Sequence, residues 1–403
     1  MTTTKKIRIA LVWSQFAPHH LDRAEAAAER LGARAEVVAV EVASNSLTYR
    51  NWTRPHQPRS AAIATLFPGK TFDHLSRVRR LWALLGSLWP FDLVCLAIGY
   101  DHYETLVLTV LLRLRGARVV LMTDSKFDDY PRSVSFEFAK KIAVQCYSGV
   151  IVGSARGAEY MRFLGFRDRP VLLGVDAVSL VRIRSDAAAH TALSAVPFSK
   201  RSFVYVGRFV EQKNLAMVLA AHADHIAMSG AAARDLILVG SGDLEPQLRQ
   251  QVTEAGQTHK VHFAGFCAGA ELAGYLCSGL ALILASRREQ WGLVVNEALA
   301  LGLPVIASEA VGARDALVRN LINGVVIENG SRESLTAAMN LIADDEARWH
   351  AMSAASHARA WLGDVGPFAD SIELLVDPGA SGANARMAHY LQVLKEIEGG
   401  PRR

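Results

Sequence analysis

The sequence predicts an α/β protein of two doubly wound, Rossmann-like domains facing a central cleft. Three observations carry this. Apolar runs of strand length alternate with helical periodicity nearly throughout the chain. The alternation lapses at residues 176–199 and restarts at 203. A length of 403 residues is also more than one hydrophobic core usually serves. In open parallel sheets ligands bind beyond the carboxyl ends of the strands, so a cleft lined by such loops is the expected site.

Taken in order, Ile7–Trp13 reads as a buried strand, residues 21–31 as an Ala-rich helix stopped by Gly32, and 35–42 as a second strand. The stretch 44–68 is polar and carries Pro55, Pro58 and Pro68, which predicts a long loop. A basic helix follows at 75–88, a strand at 92–98, a helix at 105–114 and a strand at 118–122. A helix at 133–146 and strands at 149–152 and 171–173 complete this half. Residues 176–199 lack periodicity and have the Ala-, Ser- and charge-rich composition of a linker. Strands then recur at 203–206, 236–239, 261–263, 280–284, 305–307 and 325–327, with helices between and two closing helices at 334–343 and 346–360. Residues 371–385 contain Gly and Pro and read as a tether before an amphipathic helix at 387–396, which is free to pack back on the first domain. The expected domains are therefore 1–178 and 201–378, with a linker at 179–200 and the tether and helix at 379–403.

Apolar residues make up 51% and charged ones 21%, ordinary for a globular protein. No stretch approaches eighteen uninterrupted apolar residues, so no membrane span is expected. The basic-then-apolar start reads as a first strand rather than a signal peptide, because its apolar part is short and no small-residue cleavage site follows. Cys95, Cys146, Cys267 and Cys277 are far apart and lack metal spacing, which suggests reduced thiols in a cytoplasmic protein. A net charge of +5 suits an anionic substrate or the inner face of an acidic membrane and does not by itself indicate nucleic acid.

The stretch 280–308 concentrates the chemistry. A strand leads into the loop R-R-E-Q-W-G, then a helix, then a second strand after Pro304, with Glu289 in the loop and Glu297 in the helix. The start of that helix, near Gly292, offers free N–H groups and a positive dipole end to an anion. Glu297 sits among apolar neighbours, where a carboxylate needs a hydrogen-bond donor such as a ribose diol. After the first strand of the second half, Y-V-G-R-F-V-E-Q-K-N places Arg208 and Lys213 where they would bracket a diphosphate, with Gly207 allowing close backbone approach. L-V-G-S-G-D carries Gly240 and Gly242 but not the third glycine of a dinucleotide fingerprint; it is either a turn beneath a nucleotide or a plain turn. For each charge, a solvated loop residue is the bland alternative.

These residues carry a resemblance. The block E-Q-W-G-L-V-V-N-E-A-L-A-L-G-L-P-V-I-A-S is similar to the E-x7-E signature of retaining GT-B glycosyltransferases, family 4 in particular. The likeness extends to Gly207–Asn214, Val239–Gly242 and Asn323–Ile327. It implies a nucleoside diphosphate sugar, UDP- or GDP-linked, held mainly by the second domain, and an acceptor (glycan, lipid-linked or small molecule) held by the first. By family pattern Arg208 and Lys213 hold the diphosphate, Glu297 the ribose, and Glu289 lies by the transferred sugar. The amides of Trp291, Gly292, Leu293 and Val294 lie near the phosphates. The family's Gly-Gly-x-x-Glu turn is replaced here by V-G-A-R-D at 311–315, and Gly-Phe-Gly by Gln290-Trp291-Gly292.

In the first domain, W-S-Q-F-A-P-H-H-L-D-R offers His19, His20 and Arg23. In similar enzymes a His or Asp after a later strand faces the donor sugar; here Asp124 is the candidate, with Lys126 beside it and a cap or turn role as the alternative. Asp101, His102 and Glu104 also follow a strand, His102 being either a catalytic or a turn residue. With no D-x-D and no ligand spacing, metal-independent transfer is expected. The helix around 75–89 sets Arg77, Arg79 and Arg80 beside Leu81, Trp82 and Trp89, either a core-packed helix or a surface resting on anionic membrane. Two other functions fit the architecture less well. An epimerase needs an acid–base set not evident here, and a phosphorylase needs a cofactor lysine where only Lys213 and Lys260 occur. A non-catalytic nucleotide-sugar-binding protein is the third reading.

Overall fold

A computed structural model describes residues 6–47, 58–189 and 196–398. The chain divides into two compact units, 1–177 with 365–393, and chiefly 178–364. The first unit is a parallel seven-stranded sheet of β1 (Ile7–Trp13), β2 (Ala35–Asn45), β3 (Ala62–Thr71), β4 (Leu93–Leu96), β5 (Arg118–Thr123), β6 (Gly149–Val152) and β7 (Val171–Leu173). Their order is β3-β2-β1-β4-β5-β6-β7. Its helices are α1 (Pro18–Leu31), α2 (Arg77–Leu88), α3 (Tyr103–Leu114), α4 (Val134–Ala143) and α5 (Ala155–Phe163).

The second unit opens on α6 (Leu180–Ala188) and has a parallel six-stranded sheet. Its strands are β8 (Ser202–Val206), β9 (Leu236–Val239), β10 (Val261–Gly265), β11 (Gly279–Leu284), β12 (Val305–Ser308) and β13 (Gly324–Ile327), ordered β10-β9-β8-β11-β12-β13. Between and after them run α7 (Leu215–Ser229), α8 (Glu245–Glu254), α9 (Gly269–Ser278), α10 (Val294–Ala300), α11 (Arg314–Leu317), α12 (Arg332–Ala343) and α13 (Glu346–Arg359). The central strands are apolar along their whole length, β11 being buried at all six positions, because helices cover both faces.

Three expectations are corrected. The loop expected at 44–68 contains β3, which begins at Ala62 and pairs in parallel with β2; Pro68 is accommodated because β3 is an edge strand. Residues 48–57, including Pro55, lie outside the described residues, as do 190–195 of the expected linker. Of the described part of that linker, Leu180–Ala188 form α6, capped by the Ser179 hydroxyl on the Arg182 amide and packed against α9, and Phe198–Lys200 form a 3₁₀ turn.

The tether expected at 371–385 is helical: α14 (Gly366–Val376) is followed by α15 (Ser381–Glu398). Phe368, Ile372 and Leu375 of α14 enter the core beneath β1 and α1, so the expected boundary at 378 moves to 364. Asp370 and Glu373, both buried, lock this helix to Arg30 of α1 and to Arg34 in the turn that follows it, the Arg34 contact being 2.6 Å. Arg386 of α15 reaches Asp370 at 2.7 Å.

The helical run Glu211–Ala232 is long and apolar enough by composition to cross a membrane, with mean hydropathy 1.2. In the unit it lies on the sheet, with Leu215, Val218, Leu219, His222 and His225 buried. All four cysteines are free, and burial pushes the Cys95 thiol up to about 12 and that of Cys267 to about 11.

Candidate functional site

In the second unit the loops after β8 and β11 meet. The 3₁₀ turn Glu211–Lys213 ends on Asn214, a buried residue in the left-handed conformation (φ 59°), which aims the turn back at the sheet. The Arg287 amide donates to the Gln212 carbonyl at 2.8 Å, so the two loops are joined through their backbones. Lys213 Nζ pairs with Glu289 Oε2, and their side chains are 13% and 15% exposed. The Ser286 hydroxyl donates to the same carboxylate at 3.1 Å, while Ser308 Oγ donates to the Ser286 carbonyl at 2.6 Å. Arg208 is exposed on the loop, and the buried Tyr205 hydroxyl donates to its carbonyl at 2.9 Å. Burial first, then the Glu289 carboxylate, holds the Tyr205 phenol well above its usual range, with Arg208 pulling the other way.

The glycines have a packing reason. A Cβ on Gly240 would sit 1.9 Å from the Gly207 carbonyl oxygen, and one on Gly242 2.4 Å from that of Phe209. The Phe209 amide donates to the Ser241 carbonyl at 2.9 Å. Gly240 and Gly242 thus support the Arg208 loop from below.

The turn 311–315 that replaces the family pattern supports the other loop in the same way. The Gly312 amide donates to the Glu289 carbonyl at 3.2 Å, that of Ala313 to Trp291 at 2.9 Å, and a Cβ on Gly312 would lie 1.8 Å from the Gln290 oxygen. Trp291 is buried and its indole N–H donates to Asn296 Oδ1 at 2.9 Å, so its ring is committed to the unit's interior. Gly292 (φ 98°) turns the chain into α10, a seven-residue helix. The amides of Val295 and Glu297 are bonded to the carbonyls of Gly292 and Leu293; the four amides expected near the phosphates, 291–294, all precede them. Glu297 is half-buried in the first turn of α10.

In the first unit the expected residues divide. His20 is a buried packing residue; its Nδ1 lies 3.0 Å from the Ala17 amide and 3.1 Å from the Gln15 carbonyl, and burial holds its pKa well below the usual value. Arg23 donates to the Ala177 carbonyl at 3.0 Å. Lys126 is buried against Asp129 at 2.5 Å. Asp124 is half-buried beyond β5 and acts electrostatically on Asp176, which follows β7. Burial first, then Asp124, pushes the Asp176 carboxyl up to about 8 against the pull of Arg23. Sequence reasoning missed Asp176, which opens the stretch read as a linker; an acid three residues after a short strand was the available signal.

His102 borders a cavity of about 460 Å³ wholly within this unit, lined also by Ser14, Ser46, Asp73, Arg77 and Arg80. Glu104 does not line that cavity. It is buried, accepts from Arg80 Nη2 at 2.5 Å and lies 3.6 Å from His102 Nδ1.

Two Rossmann-like parallel sheets, with ligand-type loops at the strand ends of the second, define a GT-B protein. The crystal structure of Anabaena HepE in complex with UDP and glucose superimposes with a TM-score of 0.70, at 19% identity over 92% of this chain and 100% of that one. Residues 194–359 match the family model of the glycosyl transferases group 1. The D-inositol 3-phosphate glycosyltransferase 1 of Catenulispora acidiphila is 30% identical over 178 residues, 42% of each chain. The lipopolysaccharide core biosynthesis glycosyltransferase LpsD of Rhizobium meliloti is 31% identical over 151 residues, 38% of this chain and 41% of the relative. The chain thus matches about two-fifths of the length of these curated relatives.

Proposed function

We propose that this chain transfers a sugar from a nucleoside diphosphate donor to an acceptor hydroxyl, with retention at the anomeric carbon and without a metal ion. The observation that carries the reading is the junction of two loops of the second unit, where Lys213 meets Glu289 and the Arg287 amide meets the Gln212 carbonyl. A cation pair on one loop and a carboxylate on the other is the arrangement that a diphosphate and a sugar hydroxyl require at the two ends of one scissile bond. Lys213 and Arg208 neutralise the departing diphosphate, Glu297 holds the ribose, and Glu289 binds the sugar. Glu289 now occupies Lys213, so the donor phosphates displace a carboxylate that is then released toward the sugar. That HepE is solved with UDP and glucose supports a UDP-sugar, with a GDP-sugar as the second choice.

The acceptor reading rests on the first unit. The cavity beside His102 offers three serine hydroxyls, Arg77 and an imidazole, a lining suited to a hydroxylated glycan or its lipid-linked form.

The purified protein is incubated with UDP-glucose and GDP-mannose, and products are followed by NMR. Slow nucleotide release giving a sugar of retained anomeric configuration supports the reading. Interconversion of the sugar while still attached to the nucleotide supports an epimerase. Binding of nucleotide sugar with no turnover, with or without an acceptor panel, supports a binding protein.

A further inference from the structure

From β3 through β4, β5 and β6 to β7, each connection of the first unit moves in the same direction along the sheet. By the right-handed crossover rule α2, α3, α4 and α5 therefore cover one face. α1 steps the other way, from β1 to β2, and covers the opposite face with α14.

The first of these faces is built inside out. The buried residue of α4 is Glu137, whose carboxylate accepts from the Tyr160 hydroxyl at 2.7 Å and from Arg132 and Lys140 at 3.1 Å. Burial alone would raise its pKa, but these donors outweigh it and hold the carboxyl below the usual range. Outward point Val134, Phe136, Phe138 and Ile142, at 90%, 57%, 64% and 61% exposure. A helix that turns its acid in and its phenylalanines out is not serving the core of its own unit.

The neighbours repeat the pattern. Val78 and Trp82 of α2 are 59% and 66% exposed, Leu114 of α3 is 80% exposed, and Phe163 of α5 is 59% exposed. Among the described residues α1 and α14 expose no large apolar side chain. The charge is also one-sided: Arg77, Arg79, Arg113, Lys141 and Arg162 are exposed on these four helices against one exposed acid, Glu159 of α5, while Glu104 and Glu137 are buried in ion pairs.

We infer that this face of the first unit docks on an anionic lipid bilayer, with the apolar side chains of α4 at the acyl boundary and the exposed cations among the headgroups. A surface of aromatic and aliphatic side chains ringed by cations that outnumber its exposed acids is complementary to such a bilayer. A second copy of the chain would instead set like charges against each other. The inference extends the interaction from the basic helix alone to a whole side of the sheet, and it holds whatever the donor proves to be.

The full-length protein is sedimented with vesicles of phosphatidylcholine alone and of equal parts phosphatidylcholine and phosphatidylglycerol. Wild type should pellet with the anionic vesicles, less so as salt rises. The F136S/F138S variant should lose about tenfold or more in partition, and K141Q about fivefold. L391S, on α15, should bind as wild type, and all variants should keep the wild-type circular dichroism. Wild type left in the supernatant at low salt overturns the inference, as does undiminished binding of F136S/F138S. A dimer that F136S/F138S dissociates, without vesicle binding, assigns the face to self-association and also overturns it.

Discussion

Replacing Lys213 by Met tests the junction of the two loops most directly. The side chain keeps its length and loses its charge, so the turn on Asn214 and the Arg287 to Gln212 backbone bond remain. Two consequences separate. In the free protein Glu289 loses its cation but keeps the Ser286 hydroxyl at 3.1 Å, and at 15% exposure it retains some water. The cost is about 1 kcal/mol, or roughly 2–4 °C in Tm for a protein of this size. In the transition state the lost charge faces a diphosphate gaining a full negative charge. Removing one such preorganised contact costs about 2.7–4 kcal/mol, roughly 10²–10³ in kcat. Nucleotide release from the donor, measured beside thermal unfolding, reads both. A K213M protein with turnover within threefold of wild type refutes the role assigned to Lys213. The E289Q/K213M double variant sharpens the test: if the pair acts as a unit the losses are far from additive, and strict additivity separates the two residues.

Other perturbations follow from the same geometry. Gly240→Ala places a Cβ 1.9 Å from the Gly207 carbonyl oxygen, a backbone atom that cannot swing aside, and should destabilise the second unit by about 3–5 kcal/mol by urea unfolding; an unchanged midpoint contradicts the packing. Between pH 6.5 and 8 the stability of wild type should fall, because Asp176, raised to about 8, binds a proton in the folded state that the unfolded chain has released. The slope is at most about 1.4 kcal/mol per pH unit, and D176N should flatten it. Below pH 6.5 stability should fall again, because burial lowers His20, His225, His357 and His222, the last to about 4, and the unfolded chain takes up those protons first. Transfer should survive incubation with excess EDTA, and a loss restored by added Mg²⁺ or Mn²⁺ refutes metal independence.

The fold was legible wherever burial on both faces made the strand continuous and apolar. β1 and β7 were located to the residue, because their apolar runs are nearly continuous, Arg8 being the one polar residue in them. β3 was hidden because it is an edge strand, half-exposed and carrying Pro68, Gly69 and Lys70, which locally read as loop. α6 and α14 were hidden for a different reason. Each starts where glycine, proline or serine punctuates the chain, and each owes its helicity to tertiary partners, α9 for α6 and α1 for α14. Propensity alone does not report such partners.

The site shows the same division at the level of side chains. The second-unit residues were legible because their spacing is fixed by loops that pack on one another. Gly240, Gly242 and Gly312 each sit where a Cβ would strike a carbonyl oxygen of the neighbouring loop, so the glycines and the charges they support must occur together. In the first unit the glycine contacts do not tie the two acids to one another. Asp124 and Asp176 come from strands β5 and β7, separated by β6, and nothing in the linear sequence joins them. Helical periodicity likewise found α4 but carries no sign: the same spacing of Val134, Phe138 and Ile142 fits a helix with that face inward and Glu137 turned away from the core. What settles the direction is whether the acid has donors, and Tyr160 supplies one from a separate helix, α5. The Tyr160 hydroxyl is thus the physical reason that α4 presents its aromatic side to the outside. Tyr160→Phe should leave Glu137 short of a donor, raise its pKa, and loosen α4 before any other helix of the unit. Hydrogen exchange at the α4 amides measures this, and unchanged protection there would show that α4 is held by contacts other than its buried acid.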